Sequence, residues 1–540
     1  MPSCLLPLPL LTLTKVDQSL SQATVCFACL GYREDRCFVP TCCSVFVSSF
    51  FLFLLSPSPK PQIFPMPNNL KQNALSIIDT ITLAVAGSAP SYSLNATTAA
   101  LIAAVGLASP GALIYGAIPM FGISFAFKYL NEWRADAGAA YTWVGRSLNP
   151  FLGFLAGWAF LVLSTAFMVA GVLPVGVITL ELIAPALRDS VVAATIVGGL
   201  WFIGIATLTI LGVHVAASVQ RMMTAIEAIA LIVLVIAALL KFSAEPQNAF
   251  SLSWFSPAAF GNLETFMAGM LIAVFYYFGW DVSSNVAEET SGTGSTGGKS
   301  GILGMIGVVF LFLLVQISVQ MGMTVEMVEQ NGSNLLASLG DMVLPHPWGD
   351  IAILAVLLST VGTIETQLTQ CARLLFSMGR DRVMHERFAD IHPRFQTPWL
   401  AGLIITVLSL FLMILSSFSP SINQVMISLI TSIGVMVSLY YGLSGLACFW
   451  YYRRSLKQNW QTLVLRGLWP LLSAVFLLYL GVAQIPTLGW QVSLLTIGAL
   501  AIGIVPMLIF RGMYGSEFYQ ATQESFCPTL SVERSKVEMK

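Results

Sequence analysis

The sequence predicts an all-α polytopic membrane protein of about twelve transmembrane helices, the first and sixth of them broken inside the bilayer. Three observations carry that prediction. Of 540 residues, 56% are hydrophobic and 9% charged, too little polar surface to keep a soluble globule of this size dissolved. Apolar stretches long enough to cross roughly 30 Å of hydrocarbon follow one another from Ser76 to Phe510 with short polar connections between them. Lysine and arginine crowd into alternate connections, as loops on the cytoplasmic side should. The formal net charge of −1 offers no basic face to nucleic acid.

Residues 1–65 mix Pro, Ser and Cys around one short apolar run, Val45 to Leu55, too brief to span. Three readings of this leader compete: a signal sequence, an anchoring helix extended back to Cys37, or residues translated from an upstream start. The polar stretch that opens at Met66, with a span following at once, favours the third. Cys26 and Cys29 form one CxxC, but no second pair or histidine follows at zinc-site spacing.

Residues 66–511 read as one transmembrane domain and 512–540 as a polar tail. The spans fall near 76–106, 109–129, 151–179, 190–212, 217–241, 263–289, 301–323, 350–378, 399–417, 423–450, 465–484 and 489–510. With the N-terminus inside, the basic residues from Lys71 and Lys128 to Arg380, Arg394, Arg453 and Arg511 lie on the cytoplasmic side, and Arg188 and Lys241 outside. The outer loop from Thr324 to Gly349 carries Glu326, Glu329 and Asp341 and no Lys or Arg. Both termini are then cytoplasmic.

Two spans break helix rules in the same way. The first meets Gly87-Ser88-Ala89-Pro90, where the proline removes a donor and clashes with the preceding turn. The sixth meets Phe278-Gly279-Trp280-Asp281, a charge at membrane depth that must face protein or water. Breaks five helices apart are what an inverted repeat of five plus five produces. Glu227 in the fifth span and Glu365 in the eighth are the other deep acids, candidates for taking up a proton.

Several motifs lead nowhere. Ser291 to Ser300 ends like a phosphate loop, but its first glycine position is Thr293 and no strand precedes it, so a flexible connection is the expectation. His214, His346, His385 and His392 are scattered and suggest no metal centre. No nucleotide-binding module, catalytic set or cofactor motif is present, so neither ATP drive nor an enzyme is expected.

Three further segments carry a family resemblance: Gly138-Ala-Ala-Tyr141-Thr-Trp143 leading to Leu148-Asn-Pro150 and Gly153; Glu288-Glu289-Thr290; and Ala372-Arg373 with Ser377-Met-Gly-Arg380-Asp381, His392-Pro393-Arg394 and Thr397-Pro398. Together, over Leu70 to roughly Phe510, they resemble the amino acid–polyamine–organocation (APC) permeases. The resemblance implies a LeuT-type fold, with helices one to five and six to ten as inverted repeats. It also implies a plasma-membrane secondary transporter for amino acids or related amines, working by alternating access with proton symport or exchange; the alternative is a non-transporting amino acid sensor of the same fold. Many relatives carry Gly-Ser-Gly at the first break, where this chain has Gly87-Ser88-Ala89-Pro90.

Unwound backbone in a low dielectric needs partners, which makes the breaks a zwitterion site. The N–H groups of Ser88, Ala89 and Ser91, at the positive end of a half-helix, are expected to receive a carboxylate. The carbonyls of Ala86, Gly87, Tyr277 and Phe278, beside Gly279, are expected to receive the ammonium. Trp280 and Phe278 offer aromatic faces to cap a solute. Asp281 has three possible uses: binding an amine, taking a coupling proton, or pinning the broken backbone. The expected partners are a small-molecule solute and membrane lipid.

Overall fold

The computed structural model describes residues 69–188, 190–418 and 422–520, so the expectations for the leader and for the tail beyond Gln520 lie outside it. Apart from one isolated bridge between Leu75 and Thr290, the regular structure of the described residues is helical. Lipid explains this, because only a helix satisfies every backbone donor and acceptor within its own segment. By length and apolarity the described residues hold ten candidate spans. One of them, Ile77–Trp133, covers two expected spans, while Leu263–Tyr276 is a shorter apolar helix at the expected sixth.

Helix α1 (Ile77–Gly87) opens on a reciprocal cap, in which Ser76 Oγ accepts from the Asp79 N–H and Asp79 accepts from the Ser76 N–H. It stops at Gly87, and α2 (Pro90–Val105) restarts after Ala89, whose φ of 48° lies in the left-handed region. Then come α3 (Ser109–Trp133), α4 (Ala140–Ser147), α5 (Pro150–Ile183), α6 (Val191–Leu211) and α7 (Val213–Phe242). Helix α8 (Leu263–Tyr276) is capped by Asn262 and ends early, and α9 (Val282–Asn285) resumes after Gly279 at φ 101°.

Helix α10 (Ser295–Gly322) corrects the expectation of a flexible connection over 291–300 in its second part, which is helical from Ser295, while Ser291 to Gly294 form the connection. Its first turns are buried because Gly297 and Gly298 let its backbone close on Ser283 and Lys128. The acidic segment after α10 folds into α11 (Val325–Asn331) and α12 (Leu335–Val343). The chain continues through α13 (Ile351–Arg380), α14 (Trp399–Ser416) and α15 (Ile422–Tyr452). It closes with α16 (Trp460–Leu463), a π turn at Val464–Leu468, α17 (Trp469–Gln484), α18 (Gly489–Ile502), α19 (Ile504–Tyr514) and α20 (Glu517–Gln520).

Helix α13 is the axis of the bundle. The apolar window within Trp348–Arg380 is 78% buried, against 11% for Val492–Tyr514, so α13 lies inside and α18 and α19 at the periphery. It packs on α1, α2, α5, α6, α7 and α14. Its run of Ser359, Thr360, Thr363, Glu365, Thr366, Gln367, Thr369, Gln370 and Arg373 is buried too, which a lipid-facing helix could not tolerate.

Candidate functional site

The two breaks lie against each other. A Cβ on Gly87 would run into the Gly279 carbonyl oxygen, and one on Gly279 into that of Gly87. Glycine at both positions is therefore what lets the unwound segments touch. Helix α13 grips the first break: Thr363 Oγ1 donates to the Gly87 carbonyl at 3.0 Å. Ser93 Oγ donates to the Ser88 carbonyl at 2.9 Å, closing the same turn.

Ala89 has no side chain that can cap α2, and Pro90 has no N–H to offer. The cap comes from elsewhere in the chain. Glu227 of α7 accepts the Ser91 N–H at 2.9 Å, and Ser359 of α13 accepts the Tyr92 N–H at 3.2 Å. The Ser88 and Ala89 N–H groups donate to the carbonyls of Val85 and Ala86. The donors expected to meet a solute carboxylate are thus all engaged within the protein in this conformation.

Asp281, fully buried, receives Tyr441 Oη on Oδ1 at 2.8 Å, and Tyr440 Oη and Gln370 Nε2 on Oδ2 at 2.9 and 3.1 Å. The carboxylate thus ties the second break to α13 and α15. Trp280 stacks on Tyr441 with ring centroids 5.7 Å apart and meets the Phe127 ring edge-on at 5.2 Å. Phe278 faces Phe167 and Tyr441. Tyr277 Oη donates to the Leu113 carbonyl at 2.8 Å.

Glu365 sits on α13 between the residues that contact the two breaks, and its Oε1 accepts from Thr369 at 2.9 Å. Among the described residues, the buried Glu365 Oε2, Gln370 Oε1, Gln367 Nε2 and Trp280 Nε1 have no hydrogen-bond partner. Orphaned polar atoms on a helix interior are costly, and a polar guest or water relieves them. Sequence reasoning missed Ser359, Thr363, Gln370, Tyr440 and Tyr441. Their only signal is an unusual density of hydroxyls and amides in apolar spans, which does not say which partner each will meet.

At the basic end of the bundle the three resembling segments converge. Asp136 accepts from Arg380 at 3.1 Å, Arg134 at 3.2 Å, Ser377 at 2.8 Å, Thr142 at 2.9 Å and the Gly138 N–H at 3.0 Å. Arg380 also forks onto Glu288 at 2.9 and 3.1 Å, and Arg373 pairs with Glu289 at 3.1 Å. Burial alone would push the Asp136 carboxyl up, but the Arg380 and Arg134 charges outweigh it and hold it below the usual carboxylate range. Asp136 accordingly stands as a carboxylate at neutral pH.

A family profile described as amino acid permease matches residues 75–506. The chain belongs to the amino acid permease family. The permease is 20% identical over 282 residues to the serine/threonine exchanger SteT of Bacillus subtilis (strain 168), covering 52% of this chain and 62% of the exchanger. It is 22% identical over 368 residues to the low-affinity putrescine importer PlaP of Escherichia coli (strain K12), covering 66% and 77%. It is 25% identical over 349 residues to large neutral amino acids transporter small subunit 2 of Mus musculus, covering 63% and 62%. The match thus spans less than two thirds of the exchanger and of the mouse transporter. The family is one of transporters and not of enzymes, and with ten helices long and apolar enough to span among the described residues, the permease is an integral membrane protein.

Proposed function

We propose that this permease is a secondary active transporter that carries amino acids or related amines across the plasma membrane by alternating access. It crosses the bilayer twelve times with both termini inside, and it couples uptake to protons or exchanges one solute for another. The solute site is formed by Ala86, Gly87, Ser88, Ala89 and Ser91 at the first break and by Tyr277 to Asp281 at the second.

One observation carries this reading: two non-helical backbone segments from distant parts of the chain meet at Gly87 and Gly279, surrounded by buried polar side chains. Irregular backbone at membrane depth is tolerated where it lines a cavity or lies in protein, and in transporters it marks the midplane site. The relatives support the solute class, since their names include an amino acid exchanger and a putrescine importer. Glu365, with one buried oxygen unpartnered, is the stronger of the two proton candidates, because Glu227 is occupied as a helix cap.

The test uses purified full-length protein in proteoliposomes, with an imposed proton gradient and a panel of labelled amino acids and amines. Accumulation that collapses with the gradient, and that Glu365→Gln makes insensitive to it, is the expected result. Binding without accumulation would instead identify a sensor. Accumulation only against internal solute would identify an exchanger.

A further inference from the structure

We infer that Glu227 excludes solutes bearing a carboxylate, so that the permease selects a cationic amine without one. This rests on the solute site proposed above and names its guest. The first argument is the fate of the donors. A carboxylate guest needs N–H groups at the start of α2, where they and the helix dipole favour an anion. There Pro90 has none, Ser91 donates to Glu227, Tyr92 donates to Ser359, and Ser93 donates to the Ala89 carbonyl. The protein's own carboxylate already stands where a solute carboxylate would bind.

The second argument is charge. Glu227, Asp281 and Glu365 are 2%, 0% and 6% exposed, so three acids from three helical segments lie inside the bundle. Arg373 is the only buried arginine or lysine among the described residues, and its guanidinium is committed to Glu289. An ammonium favours the ionised form of these acids and pairs with it, whereas a second carboxylate entering beside Glu227 finds no uncommitted buried cation among the described residues. The third argument is the orphaned atoms. Glu365 Oε2 and Gln370 Oε1 are acceptors that an ammonium can satisfy. The orphaned donors Trp280 Nε1 and Gln367 Nε2 are neutral, and water or a hydroxyl satisfies them without a second anion.

The experiment compares each amino acid with the amine left when its carboxylate is removed: lysine with cadaverine, and phenylalanine with phenethylamine. Ligand-dependent thermal stabilisation of the purified full-length permease gives the affinities, and it reads binding whether or not transport occurs. The amine should half-saturate at a concentration about tenfold or more below that of its amino acid in at least one pair. Glu227→Gln keeps an oxygen for the Ser91 N–H and removes the charge, so it should narrow that ratio severalfold. Equal or tighter binding of the amino acid in both pairs, stabilisation by none of the four, or a ratio unchanged in Glu227→Gln overturns the inference. Failure to accumulate any solute, with the amine preference intact, removes the transport reading and leaves this one standing.

Discussion

Gly279 does two things that no other residue could do at its position. Its φ of 101° is a conformation L side chains rarely adopt, and its Cα faces the Gly87 carbonyl with no room for a methyl group. Gly279→Ala should therefore destabilise the fold by about 1–3 kcal/mol from overpacking alone, with backbone strain added. A melting curve of the detergent-solubilised variant checks this, and an unshifted midpoint would sink the account of the paired breaks. At this scale the sequence was readable where it broke a rule. Pro90 after Gly87-Ser88-Ala89 and Asp281 after Gly279 both contradict a continuous apolar helix. The partners of those residues were not readable: Tyr440 and Tyr441 reach Asp281 across about 160 positions, and nothing local marks either tyrosine.

Helix α13 shows what a whole element adds. Its polar residues from Ser359 to Ser377 are all buried, because α1, α2, α5, α6, α7 and α14 pack around it. Toward the basic end, Arg373 and Glu289 are 1% and 0% exposed, a charge pair with almost no access to solvent. Removing one partner leaves the other charge buried and uncompensated. Arg373→Met should accordingly cost about 3–5 kcal/mol, while Arg373→Met with Glu289→Leu should recover most of it. A double-mutant cycle on thermal midpoints decides the point: if the two losses simply add, the pair is not coupled. Glu289 and Arg373 both stood within segments that carried the family resemblance, but their contact did not follow from either segment. Asp136 is a stronger case. It lies two residues before Gly138 in an unremarkable polar turn, and only the packing of α13 brings Arg380 and Ser377 to it.

Across the whole molecule, the outer surface is the inverse of this interior. Ile196, Leu200 and Ile203, spaced four and three apart on α6, are 60%, 66% and 50% exposed and form one apolar face. Lipid is the environment that makes such exposure stable. Leu200→Arg should then reduce membrane integration, with a cost of about 2–3 kcal/mol if that turn lies near the bilayer centre. The integrated fraction in a membrane-insertion assay measures it; full integration would argue that α6 is covered by protein.

By itself the sequence determined that this is a helical membrane protein, roughly where its helices run, which end is basic, and where two of the helices fail. Each of those is a property of composition or of residues near one another in the chain, and lipid reads such properties directly. Tertiary structure alone decided how the failures are used. A helix start with no cap of its own, at Ala89 and Pro90, must find one from whatever packs against it, and here that is Glu227 of α7 and Ser359 of α13. Glu227 appeared in the sequence as a deep acid and a candidate for taking up a proton. Its role follows from the low dielectric around α2, where an unpaired N–H is too costly to leave and the nearest carboxylate is drawn in to meet it.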